Sequence, residues 1–277
     1  MIAPIQIVLV LYKLKLKDSL TYQSFTKYIK QTSIKYELLI YNNSPEVIIE
    51  KEDGYLSVNS SNNEMLSGAY NYALKLAEDT NKKWLLLLDQ DTELTEQFFF
   101  ELDTFLKSNN EQSVGAVVPI LYKGKYHLSP ISFSPVFGPF LSYRPVEGNV
   151  STQLCVSAYN SATMLNVEFM KSIGGFSTDY PLDMLDHWYF YQMYKAKKPI
   201  YVLNARIEQN LSLLDMSNCM NVDRYKMYIK AQKHFVKELH FQAQFTLRIQ
   251  LFKALISQLI RSKKRKYFST TFFELIN

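Results

Sequence analysis

The stretch Trp84-Leu85-Leu86-Leu87-Leu88-Asp89-Gln90-Asp91-Thr92 decides how the rest of the chain is read. Its five apolar residues run without a polar break, which describes a strand buried on both faces in the middle of a parallel sheet. Two carboxylates follow at the carboxyl end of that strand, where open α/β sheets bind their ligands. Acids one residue apart can share a hard cation such as Mg²⁺ or Mn²⁺, and these ions also coordinate phosphates. Asp-x-Asp by itself recurs in turns and helix caps, so its place behind four leucines gives it its weight.

Outward from this stretch, β-rich runs alternate with helical patterns, which predicts an α/β sheet with crossover helices. Strands are expected at 5–11, 36–41, 55–58, 84–88, 114–121, 154–165 and 199–203, and helices near 19–31, 63–78, 96–107, 167–173 and 185–195. In the second helix Leu66, Ala69, Tyr70, Ala73 and Ala77 recur every three or four residues, with Asn62 or Asn63 as N-cap. Residues 122–150 are rich in Pro, Gly, Ser and aromatics without helical period. They predict a long irregular or hairpin segment of the kind that shapes binding sites.

Composition sets the outer limits. The 277 residues, 47% apolar and 14% aromatic, suit one large domain or a domain with a tail, and exclude a disordered chain. Cys155 and Cys219 are too few for a disulfide framework and lack C-x-x-C spacing, so a reducing cytosol is expected. His127, His187, His234 and His240 have no paired-ligand spacing, so any metal must be held mainly by oxygen. No apolar run approaches the ~18–20 residues of a spanning helix. Lys13, Lys15 and Lys17 follow the first apolar run instead of preceding it, the wrong order for an export signal.

The net charge of +5 is unevenly placed. Residues 224–266 hold 12 Lys/Arg against Glu238, which leaves 19 basic against 25 acidic residues elsewhere, a net of −6. There Phe245, Ile249, Phe252, Leu255, Ile256 and Leu259 fall at helical spacing before the run Lys263–Lys266. This amphipathic helix either packs on its own domain or meets an anionic membrane surface. Nucleic acid is not an expected partner, because no base-reading module accompanies the charge.

The ordered motifs resemble the inverting family-2 glycosyltransferases of the GT-A fold, especially their rhamnosyltransferase-like branch, where a strand ends in Leu-Asp-Gln-Asp before Ser or Thr. The strand Ile7–Tyr12 leads to a second that ends in Asn42-Asn43-Ser44-Pro45, similar to the family's nucleotide turn. Asn62–Asn71 resembles the family's next helix start. Asn160-Ser161-Ala162, Ile173-Gly174-Gly175-Phe176 and Asp183-Met184-Leu185-Asp186 then follow in family order. The resemblance covers about residues 5–212.

The resemblance implies a GT-A (nucleotide-diphospho-sugar transferase) fold, a mostly parallel open sheet flanked by helices, with a C-terminal helical tail. A catalytic domain is expected over 1–215 and a basic amphipathic tail over 216–277, with the boundary between Ser212 and Asn221. The implied reaction is inverting transfer of rhamnose or a hexose from a dTDP- or UDP-sugar to a glycan or lipid-linked acceptor, in surface polysaccharide synthesis. Asp186 would be the catalytic base, with Asp183 competing for that role. Tyr12, Asn42, Asn71 and Asp89 would bind the nucleotide sugar. Asp91 would ligate a Mg²⁺ or Mn²⁺ ion, with Gln209 where the family often has a metal-binding His. The protein would be cytoplasmic, or peripheral at the inner face of the membrane if the tail binds lipid; its oligomeric state is left open.

Two rivals remain at this stage. A haloacid-dehalogenase-type phosphatase also places Asp-x-Asp after an apolar strand, but it expects Thr at the fourth position after the first Asp, where Glu93 stands. The other is a catalytically silent GT-A domain that binds a sugar nucleotide or a partner enzyme.

Overall fold

The computed structural model describes residues 5–108, 114–140, 142–148, 153–209 and 220–276, with the backbone only of 262 and 263. They fall into two compact units, one within Met1–Ile131 and Pro145–Gln209, the other within Ser132–Arg144 and Asn210–Asn277. The expected boundary at Ser212–Asn221 lies almost wholly outside the described residues. Segment 132–144 joins the second unit, which a single cut in the sequence does not anticipate.

The first unit is built on strands β1 (Ile5–Leu11), β2 (Tyr36–Asn42), β3 (Leu56–Asn59), β4 (Trp84–Leu88), β5 (Ala116–Lys123) and β6 (Tyr126–Ser129). Three two-residue strands follow, β7 (Ile131–Ser132), β8 (Arg144–Pro145) and β9 (Val156–Ser157), then β10 (Thr163–Asn166) and β11 (Ile200–Glu208). The sheet runs β11-β5-β10-β4-β1-β2-β3, with β6 paired to β5. β1 and β4 are buried along their whole length; β4 is apolar throughout, and the one polar residue of β1, Gln6, donates to the Glu37 carbonyl at 3.0 Å. Leu11 pairs with Asn42 and Leu9 with Leu88, so β1, β2 and β4 end close together along one edge of the sheet. β10 lies antiparallel between β4 and β5. Its start therefore meets the end of β4, Thr163 facing Leu87.

Helices α1 (Leu20–Tyr28), α2 (Met65–Asp79), α3 (Glu96–Lys107), α4 (Val167–Ser172) and α5 (Leu185–Lys195) flank this sheet. Ser19, Thr95 and Asn166 cap α1, α3 and α4 by accepting from the N–H three residues on. In α3 the buried residues are Phe98, Phe99, Leu102, Phe105 and Leu106, a helical stripe. Phe105 meets Trp84 edge-on at 5.7 Å and Phe99 meets Phe25 at 6.0 Å, fixing α3 and α1 in the same core. Each such ring removed from water contributes about 1.5–3 kcal/mol.

Three expectations change. The strand foreseen at 154–165 divides into β9 and β10, because the chain turns through Asn160–Ala162, with Ala162 at φ +59°. β11 continues to Glu208, its buried Ala205 and Ile207 alternating with exposed Asn204, Arg206 and Glu208. At α2 the cap position is Glu64, which makes no side-chain capping bond, while the Asn63 side chain accepts from Met65 N at 3.0 Å.

The second unit contains α6 (Val222–Glu238), α7 (Phe241–Ile260), a 3₁₀ turn at Ser262–Tyr267 and α8 (Phe268–Ile276). Its interior centres on Tyr225, whose ring lies 4.4 Å from that of Tyr267 and whose hydroxyl pairs with Thr271 at 2.9 Å. Thr246 donates to the Phe137 carbonyl at 2.5 Å, tying segment 132–144 to α7. Among the described residues no helix is long and apolar enough to cross a membrane.

Candidate functional site

The turn carrying Asp89 and Asp91 is held from below by α1. Ser19 Oγ donates to the Gln90 carbonyl at 2.8 Å. Thr21 Oγ1 donates to the Thr92 carbonyl at 2.8 Å and accepts the Thr92 N–H at 2.9 Å. Ser24 accepts Leu94 N at 3.0 Å. Gln90, between the two acids, accepts the Tyr12 N–H at 2.8 Å, joining this turn to the end of β1. A buried polar chain then crosses the sheet edge. Thr92 Oγ1 donates to Gln209 Oε1 at 2.9 Å, Gln209 Nε2 donates to Ser161 Oγ at 3.3 Å, and Ser161 donates to Asp89 Oδ2.

Asp89 is half-buried and Asp91 exposed. Burial pushes the Asp89 carboxyl up to about 6; the Ser161 hydroxyl opposes this, while the Asp91 and Asp186 carboxylates add to the rise. Asp89 therefore lies in the field of both other acids. Tyr70 OH approaches Asp89 Oδ1 at 3.5 Å. Burial, with Asp89 and Asp186 nearby, holds the Tyr70 and Tyr189 phenols well above their ordinary value, so both stay neutral donors.

Asp186 stands in the first turn of α5 and accepts its neighbour's N–H, from His187, at 2.8 Å. Burial raises its carboxyl above the usual carboxylate range, and His187 beside it works the other way. Met184, at φ +64°, turns the chain into α5, and Asp183 is buried behind it. Asp89, Tyr70 and Tyr189 all sense the charge of Asp186.

Asn71 organises the floor between them. Its Oδ1 accepts Phe176 N and its Nδ2 donates to Phe176 O, each at 2.8 Å. Gly175, at φ +84°, lies under this clasp, where a Cβ would stand 2.6 Å from Asn71 Oδ1. The clasp sets the Phe176 ring 5.2 Å from Tyr70 and 5.9 Å from Tyr189, and Tyr189 in turn donates to Asn160 at 2.9 Å. Asn71 thus meets Phe176 with both ends of its amide.

The structure places the expected residues unevenly. Asp89 lies within electrostatic reach of both Asp91 and Asp186, and Tyr12 is joined to the acidic turn through Gln90. Asn42 is fully buried: its amide donates to Asn59 Oδ1 at 2.9 Å and to the Val47 carbonyl, and accepts Ser44 N at 3.0 Å. Gln209, 2% exposed, reaches Asp89 through Ser161. Thr21, Tyr70, Tyr189 and Ser161 complete the site without a role read from the sequence. Ser161 and Tyr70 fall within motifs of the resemblance, whereas Thr21 and Tyr189 carry no spacing that separates them from ordinary core and cap positions.

Among the described residues no group of three or more His, Cys, Asp or Glu side chains is arranged to hold a metal. Asp89 and Asp91 are two hard oxygen donors whose carboxyls burial raises above the usual range. That fits a divalent cation held by one or two carboxylates, with phosphate and water completing the shell.

No protein-family model matches the sequence, and no curated protein does. Among solved structures, the mannosyltransferase PcManGT from Pyrobaculum calidifontis, in complex with GDP-Man and Mn²⁺, is similar at a TM-score of 0.54 and 11% identity. The match covers 100% of this chain and 86% of that one. S. aureus TarS 1–349 in complex with UDP aligns at a TM-score of 0.49 and 11% identity, over 97% of this chain and 89% of that one. The likeness to the mannosyltransferase shows the fold, a mixed α/β GT-A-like architecture with a mostly parallel central sheet flanked by helices.

Proposed function

We propose that the chain is a glycosyltransferase. It would move rhamnose or a hexose from a dTDP- or UDP-sugar to a hydroxyl of a glycan or lipid-linked acceptor, with inversion, in surface polysaccharide synthesis. The observation that supports this is Asp89, at the end of a central strand of a GT-A-like sheet, within electrostatic reach of both Asp91 and Asp186. The similar mannosyltransferase binds GDP-Man and Mn²⁺. The motif order favours the rhamnosyltransferase-like branch of family 2.

Inversion needs an in-line attack by the acceptor oxygen, a base for its proton and relief of charge on the leaving diphosphate. Asp186 is the base in this proposal; its raised carboxyl makes it a better proton acceptor than an ordinary carboxylate. Asp91 and Asp89 would hold a Mg²⁺ or Mn²⁺ ion, which when bound neutralises the diphosphate's charge. Tyr12, just past the end of β1 and bonded to Gln90 of the acidic turn, would contact the nucleotide. Asn42 shapes the turn beside it from within, and Asn71 fixes the Phe176 floor. Gln209 braces the acidic turn; a place in the cation's shell would require Thr92 to share or release its oxygen.

The test is release of nucleoside diphosphate from a panel of dTDP- and UDP-sugars with Mn²⁺ and glycan acceptors. Turnover that Asp186→Asn abolishes supports the assignment. The occupied Gln209 amide favours a second reading, a silent domain that binds the nucleotide sugar. Binding without turnover, indifferent to Asp186→Asn, would select it.

A further inference from the structure

Helix α7 is apolar on two faces, and packing covers one of them. Ala243, Leu247 and Leu251 are buried together with Thr246 and Gln258. Phe241, Phe245, Phe252, Ile256 and Leu259 lie in solvent, Phe245 being 65% and Phe252 54% exposed. At about 100° per residue the exposed set forms one stripe roughly opposite the buried set, running the ~30 Å length of the helix. The solvent face thus carries more large apolar side chains than the packed face, the reverse of an ordinary surface helix.

Charge selects what covers this stripe. Arg248 and Lys253 are exposed on the same helix, and Arg261 and Arg265 are exposed just beyond it. Between Glu238 and Glu274 the sequence contains no acid, and Glu274 is buried against Lys233 at 3.0 Å. Two copies of this face would bring cations together with no acid to meet them. An anionic lipid surface offers negative headgroups for the cations and an apolar layer beneath for the phenylalanines.

We infer that α7 and the basic turn after it dock the chain on the surface of an anionic bilayer, with α7 lying in the interface. This goes beyond the sugar-transfer proposal and stands apart from it, since it rests on residues of the second unit alone.

Co-sedimentation of the full chain with phosphatidylcholine vesicles, with and without phosphatidylglycerol, tests the inference. Binding is expected only when phosphatidylglycerol is present. Arg248→Glu with Lys253→Glu should lower partitioning at least about tenfold, since each cation near such a surface counts for roughly fivefold. Phe245→Ser with Phe252→Ser should abolish it, with melting temperature unchanged because both sites are exposed. Absence of binding to phosphatidylglycerol vesicles, or equal binding to neutral ones, would overturn the inference. So would a lipid-free dimer, seen by sedimentation velocity, that the phenylalanine variant dissolves; the face would then belong to a second copy.

Discussion

Thr92 gives its hydroxyl proton to the amide oxygen of Gln209 across 117 positions of sequence, and both residues are buried. The bond joins the acidic turn to the end of β11, and through Ser161 it sets the carboxylate of Asp89. Gln209→Ala should therefore strand a buried donor and cost about 1–3 kcal/mol in urea denaturation of the metal-free protein. Adding Thr92→Val to that variant should recover part of the loss. A residue acting only as a metal ligand would instead leave metal-free stability intact and raise the Mn²⁺ concentration needed for half-saturation.

The Asn71 clasp separates two adjacent glycines. Gly174, at φ +85°, has nothing within 4 Å of a built Cβ, whereas at Gly175 the Cβ would meet Asn71 Oδ1 at 2.6 Å. Gly174→Ala should cost only backbone strain, about 1–3 kcal/mol. Gly175→Ala should cost clearly more, and Asn71→Ala should lower stability by about 1–3 kcal/mol by leaving the Phe176 peptide unpaired. Chemical denaturation of the three variants checks the order.

A pH dependence follows from the raised Asp89 carboxyl. The folded chain holds this proton more tightly than the unfolded chain, so between its ordinary value of 3.8 and about 6 folding takes up a proton. Stability from this group therefore falls as pH rises through that window, and the cost is fully present above it. Asp91 and Asp186, also raised, act in the same direction. A cation competes with the proton, so Mn²⁺ affinity should rise about tenfold per pH unit below about 6 and level off above it. Electron paramagnetic resonance titrations should show this, and Asp89→Asn should reduce the rise to what Asp91 alone contributes; an affinity flat in pH would contradict it.

Much of this was legible in the sequence where one physical cause acted alone. β4 begins and ends where its apolar run Trp84–Leu88 does, because full burial leaves no other choice. β10 was not separable from the residues before it, since the turn at Asn160–Ala162 depends on Ala162 at φ +59° and carries no glycine or proline. Its antiparallel insertion between β4 and β5 is a long-range pairing that local pattern does not encode.

At the site, Asp89 and Asp91 announce themselves by following an apolar strand. The hydroxyls of Tyr70 and Ser161 that meet Asp89 fall inside motifs of the resemblance, but which atoms they meet is set by long-range packing, and Thr21, which holds the Thr92 backbone, looks like any buried Thr. In α7 the apolar spacing leaves open whether the helix packs or faces outward, because one helix carries both stripes.

The central proposal is that a nucleoside-diphosphate sugar docks at the Asp89–Asp91 turn through a cation, facing Asp186. Calorimetric titration of dTDP- and UDP-sugars with Mn²⁺ into the wild type, Asp91→Ala and Asp186→Asn tests it most directly. The account predicts saturable, Mn²⁺-dependent binding by the wild type, lost in Asp91→Ala and kept in Asp186→Asn. Binding that survives in Asp91→Ala, or no binding of any nucleotide sugar to the wild type, would contradict it.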